Sequence, residues 1–570
     1  MVNFKDEIAK LLAEQVTDLP LEEIRGMIEV PQDAKMGDYA FPCFKLAKVM
    51  RKAPPLIAKG IAEKIADAPM FEKVEQVNAY VNMFISKEEF VKDVVEDVLE
   101  KDGEYGKTNI GNGTPVIVEF SSPNIAKPFH IGHIRSTVIG NSIYKLYDAM
   151  GYQVTRINHL GDYGTQFGKM IVAYRRWGNE EDVKREPIKT LLHYYTKFHV
   201  EAEKDPSLDD EARATFTKLE HGEPEETKLW QWFRDESLKE FTRVYDMLGI
   251  SYDSYAGESF YSDKMPAIVE TLKEKNLLVE SKGAMIVDLE PYGLTPAPIL
   301  KSDGSTLYIT RDLACAKYRK DTYNFYKNIY VVASQQNLHF QQLKKILELM
   351  GYEWAKDIIH VPFGLVSLED GTMSTREGRV VFLEDVLNRA IDETRDIIRE
   401  KGVATDNIEE TAKQVGIGAV VFNELSNNRI KDYVFSWDKV LDFNGETGPY
   451  VQYTYARSAS ILRNAGEEAV RAAHGPVNAA YITSESAYTL AKLIYKLPEV
   501  VIEAGEKYEP SIVTRHIVDL AQAFNRFYHD EHILVDNEEE KSAKLALVIA
   551  AKTAIKNGLA LLGMEAPERM

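Results

Sequence analysis

Residues 115–133 read PVIVEFSSPNIAKPFHIGH. The first eight, 115–122, are rich in β-branched and aromatic residues and show no helical period, so they predict a short buried parallel strand. Pro123 ends it. A helix is expected from about His130 to Met150, with Ile131, Ile134, Val138, Ile139, Ile143 and Leu146 on its apolar side and Gly151 as its stop. QVTRIN (153–158) then reads as a second strand. Strand, helix and strand in this order make a βαβ unit, and hence a Rossmann-like, doubly wound parallel sheet. In such sheets ligands bind outside the carboxyl ends of the strands, where Glu119 and the segment 120–133 fall.

His130 and His133 are three residues apart, which places both imidazoles on one face of the first helical turn. Free N–H groups and the positive end of the helix dipole at that turn suit phosphate. Gly132 has no side chain and leaves room for a flat base against the backbone. Two imidazoles beside a phosphate can donate hydrogen bonds to charge that develops during an in-line displacement, a reaction that needs positioning more than a nucleophilic side chain. Zinc would require further ligands, and neither of the two cysteines, Cys43 and Cys315, is nearby, so no metal site is expected.

Moving outward, residues 1–110 predict a separate α+β module: helices around a strand-rich stretch at 73–86, then a glycine-rich linker at 103–113. Residues 45–64 hold six bases (Lys45, Lys48, Arg51, Lys52, Lys59, Lys64) against Glu63. They share one helix face only if a helix bridges Pro54-Pro55, and spacing alone favours a solvated face. Residues 180–250 are helical and charged, with Trp230, Trp232, Phe233 and Leu238 as core candidates, and read as an insertion between two halves of the α/β fold. Strands return at 284–289, 328–334 and 357–366, and from Phe382 the pattern is almost all helix. The expected domains are 1–110, 111–380 with the insertion near 180–250, a helical connector at 381–445, and 446–570.

The chain has 570 residues and a formal net charge of −20. That length suggests about four domains and supports cores without disulfides or metal staples. Two cysteines exclude a disulfide framework and fit a reducing compartment. No apolar run approaches the roughly 18 residues of a membrane span, so no membrane partner is expected. The acidic balance restricts any nucleic-acid footprint to a local patch.

The block EFSSPNIAKPFHIGHIRST (119–137) resembles the HIGH-motif block of class I aminoacyl-tRNA synthetases, in the form found in the arginyl-tRNA synthetase family. NHLGDYGTQFG (158–168), YITRD (308–312), SQQNLHF (334–340), MSTREG (373–378) and TGPYVQYTYAR (447–457) resemble further blocks of that family in the right order, and the chain ends in PERM. The resemblance implies a cytoplasmic ligase that joins L-arginine to tRNA(Arg) with ATP and Mg²⁺, acting as a monomer. It implies an N-terminal tRNA-elbow domain and a C-terminal all-α, DALR-type anticodon-binding domain. It assigns His130, His133 and Lys127 to catalysis, and Lys127, His130, Gly132, His133, Met373, Ser374 and Arg376 to ATP. The loop at 373–377 departs from the usual KMSKS pattern, with Arg376 at the second lysine position. Lys127, three residues before His130, matches the lysine that such enzymes use instead.

A guanidinium presents a planar fork of five donors, so its pocket must hold carboxylates. By resemblance Glu119, Tyr308 and Asp312 face that fork, while Ser122, Asn124 and Gln336 hold the α-amino and carboxylate end. Asp162 and Gln166 line the pocket floor or act as structural hydrogen bonders. Asn82, on a half-buried strand, would turn its polar side to RNA. Tyr453 and Arg457, one turn apart on a helix, would meet the anticodon loop, where bases stack on aromatic rings. Two other readings are a small-molecule nucleotidyltransferase, which would need only one α/β domain, and a non-catalytic tRNA-binding paralogue, which would be expected to lose the histidines or the pocket acids.

Overall fold

The computed structural model describes residues 3–302, 306–368, 381–402, 407–440, 442 and 445–570. They divide into two compact units. One comprises residues up to 105 with 454–497 and 519–557, and the other comprises 106–453, 498–518 and the C-terminal residues from 558.

In the first unit, β1 (Tyr39–Pro42), β2 (Phe71–Val77) and β3 (Tyr80–Ile85) form an antiparallel sheet in the order β1-β3-β2. The helix Lys87–Lys101 follows, capped by Ser86, whose hydroxyl accepts from the Glu89 N–H. No helix bridges Pro54-Pro55. Leu46–Met50 ends at Arg51 in the left-handed region (φ 50°), and Pro54 opens a new helix, Pro54–Ile65, where its missing N–H costs nothing. The N-terminal segment buries aromatic surface against C-terminal helices. Phe90 meets Tyr488 and Tyr495 at ring distances of 5.4 and 5.2 Å, and the Tyr105 hydroxyl donates to the Ile494 carbonyl at 2.9 Å. A small three-stranded sheet has too little apolar surface for a core of its own and completes it with these rings.

In the second unit the strands are β4 (Pro115–Glu119), β5 (Gln153–Ile157), β6 (Leu278–Ser281), β7 (Ala284–Val287), β8 (Ala297–Leu300), β9 (Lys327–Ala333), β10 (Ile358–Phe363), β11 (Val366–Leu368) and β12 (Tyr433–Phe435). Four of them make a fully parallel sheet in the order β10-β9-β4-β5. From β4 the chain crosses to β5 through the helix Ile134–Ala149, while β9 lies on the other side of β4 and leads away to β10. The strand order therefore reverses between β4 and β9, and this switch point is where such sheets open a ligand crevice. The crossover helix packs so closely on the sheet that a Cβ at Gly140 would lie 2.1 Å from the Phe120 Cβ.

The expected strand at 284–289 exists as β7, but outside this sheet. It joins β6 and β8 in an antiparallel sheet, because Lys282-Gly283 makes a tight turn (φ 50° and 80°) rather than a crossover. The segment 180–250 forms the helices Glu180–Arg185, Pro187–Lys204, Ser207–Glu220 and Pro224–Met247. Phe233 is fully buried there, whereas Trp230, Trp232 and Leu238 are half-buried. After Phe382 the regular elements of the described residues are helices except for β12, which pairs in parallel with β11.

Candidate active site

After Glu119 the backbone leaves the sheet through Ser121, Ser122 and Ala126, all at positive φ (69°, 48° and 57°). Non-glycine residues occupy that region only when their surroundings hold them there. The restraints are visible. The Ser121 N–H donates to the Ser136 hydroxyl at 2.9 Å, and the Ser121 hydroxyl lies 2.8 Å from that of Tyr245. The Ser122 hydroxyl accepts from the His159 N–H at 3.2 Å, and the Ala126 N–H donates to Ser237 at 3.0 Å. Asn124 is exposed and lies beside Gly161, where a Cβ would come within 2.3 Å of the Asn124 Oδ1. The loop is therefore clamped by the glycine-rich segment after β5.

His130 caps a single 3₁₀ turn, Ile131–His133, and the α-helix begins only at Ile134. The predicted continuous helix from His130 is thus a 3₁₀ entry, because the His130 ring takes the Gly132 N–H at 3.1 Å. In the neutral ring, an Nδ1 that accepts leaves the proton on Nε2, so His130 presents an Nε2–H donor. The His133 Nδ1 lies 3.2 Å from both the N–H and the carbonyl of His130, and the two rings are 4.0 Å apart. Burial lowers the pKa of His130, and burial together with the neighbouring His130 brings His133 down to about 3. Both imidazoles are therefore neutral at physiological pH and act as hydrogen-bond donors, not as cations. Lys127 is half-buried, and its charge opposes protonation of His133.

On the other side of the switch point, Tyr308 opens the helix Tyr308–Tyr323 and is 65% exposed, and Asp312 follows one turn later. Asp312 Oδ2 lies 2.6 Å from Nε2 of His339 in the helix Asn337–Leu349. Burial alone would raise the Asp312 carboxyl, but the hydrogen bond and charge of His339 outweigh it and hold its pKa below the ordinary value. Gln336 is exposed just beyond the carboxyl end of β9. Glu119 is buried at the end of β4, and its Oε2 forms an ion pair at 2.5 Å with Arg319, which is itself fully buried.

Asp162 is fully buried and acts as a structural tie. It accepts from Arg234 Nε at 3.1 Å and from the Ser259 N–H at 2.8 Å, while Gln166 donates to the Tyr163 carbonyl. Met373, Ser374 and Arg376 lie outside the described residues. Among the described residues no group of three or more His, Cys, Asp or Glu is arranged to hold a metal ion, and no helix is long and apolar enough to cross a membrane.

The parallel sheet therefore brings Glu119, Ser122, Asn124, Lys127, His130 and His133 on one side of the switch point toward Tyr308, Asp312 and Gln336 on the other. The RNA-facing expectations fare differently. Asn82 does not turn outward. It is 1% exposed on β3, the middle strand of its sheet, and its Nδ2 has no hydrogen-bond partner. Arg457 Nη1 donates to Asn525 Oδ1 at 2.5 Å, and its guanidinium lies over the Tyr528 ring. Tyr453 is 41% exposed, whereas Tyr455 is core. Sequence reasoning missed Arg319 and His339. Arg319 follows Asp312 by seven residues, two helical turns, so the shared face was legible from spacing. His339 stood inside a quoted block without being singled out, and nothing local marks it as the partner of Asp312.

The family pattern for the tRNA synthetases class I (R) catalytic domain matches residues 94–437. The chain belongs to the arginyl-tRNA synthetase family. An arginyl-tRNA synthetase N-terminal domain matches residues 3–85, and a DALR anticodon-binding domain matches residues 451–570. Relatives named arginine–tRNA ligase from Clostridioides difficile and Halothermothrix orenii are 59% and 58% identical to this chain over 570 residues, covering all of both chains in each case. The crystal structure of arginyl-tRNA synthetase from Plasmodium falciparum superposes with a TM-score of 0.77 at 25% identity and covers 100% of each chain. This member of the family therefore carries its histidine pair and its Asp312 carboxylate at the mouth of one class I sheet.

Proposed function

We propose that this chain is an arginine–tRNA ligase. It converts L-arginine and ATP to arginyl-adenylate and pyrophosphate, then transfers the arginyl group to the 3′ end of tRNA(Arg) and releases AMP. The observation that carries the reading is the placement of Asp312 and the His130–His133 pair on opposite sides of the β4/β9 switch point, within a family of that activity. Asp312 and Tyr308 receive the guanidinium fork, with Asn124, Ser122 and Gln336 holding the α-amino and carboxylate end. Glu119, charge-paired with Arg319, shapes the pocket from the strand end. The carboxylate of arginine attacks the α-phosphorus in line. His130 and His133 donate hydrogen bonds to phosphate oxygens, Lys127 supplies positive charge for the departing pyrophosphate, and Gly132 leaves space for adenine.

Met373, Ser374 and Arg376 complete the ATP site in this reading. Mg²⁺, when bound, neutralises triphosphate charge. With no carboxylate cage among the described residues, the phosphates and water would supply most of its ligands. The N-terminal domain, through surfaces other than the buried Asn82, and the C-terminal helices with Tyr453 and Arg457 take the RNA. Cys43 and Cys315 are free and buried, and burial raises both thiols to about 12, so they are inert, in keeping with a reducing cytoplasm. Aminoacylation of tRNA(Arg) assayed with each of the twenty amino acids tests the reading: arginine alone is expected to be charged, and efficient charging of any other amino acid refutes it.

A further inference from the structure

Asp312, the carboxylate best placed for the substrate's guanidinium, is already in use. His339 Nε2 lies 2.6 Å from its Oδ2, and the two side chains are 23% and 33% exposed, so the contact is partly desolvated yet reachable from the crevice. His339 belongs to the segment that carries Gln336, which places both on the β9 side of the site. The His339 ring is backed by Phe340, which stacks on His360 at 4.2 Å. We propose that His339 holds Asp312 in the arginine-free enzyme as a cation standing in for the substrate's guanidinium, and that arginine takes Asp312 over by displacing the proton of His339. This rests on the reading above that Asp312 is the seat of the guanidinium.

The electrostatics run the same way. Burial alone would lower the His339 pKa, but the hydrogen bond and charge of Asp312 outweigh it and leave it raised. A guanidinium on Asp312 cancels that charge, so the His339 pKa falls on binding and the proton departs to solvent. By linkage, arginine affinity is full above the free-state pKa of His339 and declines as pH falls through it, by up to about tenfold per pH unit. A neutral isostere of arginine such as citrulline cannot replace the imidazolium, so the pair would reject it as well as recognise arginine.

Other ionisable groups face this pair. His159, on the loop after β5, has its pKa lowered by burial. Arg311 beside Asp312, ion-paired with Glu258, and the Glu119–Arg319 ion pair also face it, and burial lowers the pKa of His360 behind Phe340. Glu258, paired with Arg311 at 3.2 Å, is raised by burial to about 7 and is a competing proton source near neutrality.

The test is calorimetric titration of the full-length chain with L-arginine at pH 6, 7 and 8, each in two buffers of different ionisation enthalpy. Wild type is expected to release a proton on binding, approaching one per arginine below the free-state pKa, with the Kd rising toward acid pH. His339→Gln keeps a hydrogen-bond donor for Asp312 but cannot take up the proton. Its release should vanish, its Kd should be flat from pH 6 to 8, and at pH 6 it should bind arginine more tightly than wild type. Glu258→Gln should leave the release unchanged. No proton release by wild type, a release that survives His339→Gln, or one abolished only by Glu258→Gln each overturns the proposal. Asp312→Asn separates the layers: wild-type arginine affinity there would refute Asp312 as the seat of the guanidinium, and this proposal with it.

Discussion

Replacing Asp312 by Asn removes a charge with almost no change in volume, and so tests the division of labour between the two sides of the crevice. The Asp312 side chain is 33% exposed, so its pairing with a guanidinium is only partly desolvated. Truncating one partner of a hydrogen-bonded charge pair costs 2–5 kcal/mol when the pair is buried, and residual solvent places this case near the lower end, about 2–3 kcal/mol. At 1.4 kcal/mol per tenfold, the KM for arginine should rise about 30- to 150-fold while kcat changes little, because the interaction exists in the ground state as well as in the transition state. His133→Ala should do the opposite. Losing one preorganised donor at developing charge lowers kcat about a hundredfold, with the arginine KM within about threefold. The assay is ATP–pyrophosphate exchange in the presence of tRNA, with arginine varied at saturating ATP. If both variants lost kcat alike with unchanged KM, the assignment of substrate binding to one side of β4/β9 and chemistry to the other would be wrong.

Three further outcomes are expected. Exchange of pyrophosphate into ATP with arginine should be slow without tRNA and fast with it, since the departure from KMSKS at residues 373–377 leaves phosphate stabilisation to be completed when RNA docks; equal rates would refute this. Gly161→Ala places a Cβ 2.3 Å from Asn124 Oδ1, and swinging that exposed side chain aside relieves the clash, so arginine KM should rise several-fold while the thermal midpoint moves little; an unchanged KM would remove Asn124 from the pocket. The lowered His133 pKa opposes folding in acid. Its contribution is absent above the ordinary histidine value of about 6.5, and stability is lost as pH falls from there toward 3, by at most about 1.4 kcal/mol per pH unit. The thermal midpoint of His133→Asn should therefore fall less steeply between pH 7 and 5 than that of wild type, and parallel curves would show that the native ring protonates freely.

The local grammar of 115–133 was enough to specify the nucleotide-binding half. A short β-branched run with no helical period favours a strand, Pro123 ends it, and the apolar spacing after His130 has the period of a helix, so strand, loop and helix were legible one after another. The same grammar found the strand at 284–289 but not its sheet, because a short apolar strand reads alike in a parallel and an antiparallel sheet, and the choice belongs to the turn at Lys282-Gly283 and to the neighbouring strands. Asn82 shows the complementary failure. Alternation along β3 predicted one polar face, yet with β1 on one side and β2 on the other the burial runs through Val81, Asn82 and Met83.

What sequence alone determined was the chemistry on offer: a histidine pair at a strand-to-helix turn, acids able to receive a guanidinium, and six ordered blocks that resemble one family. Those features are local, since each depends on residue type and on spacing of a few positions. The tertiary structure decided which of these groups are already engaged. Glu119 meets Arg319, 200 positions away in the chain, and Asp312 meets His339 on the next helix, because a parallel sheet brings strand ends from distant segments to one edge. No periodicity encodes such pairings; they arise only once the crossovers are closed and desolvation leaves each buried charge in need of a partner.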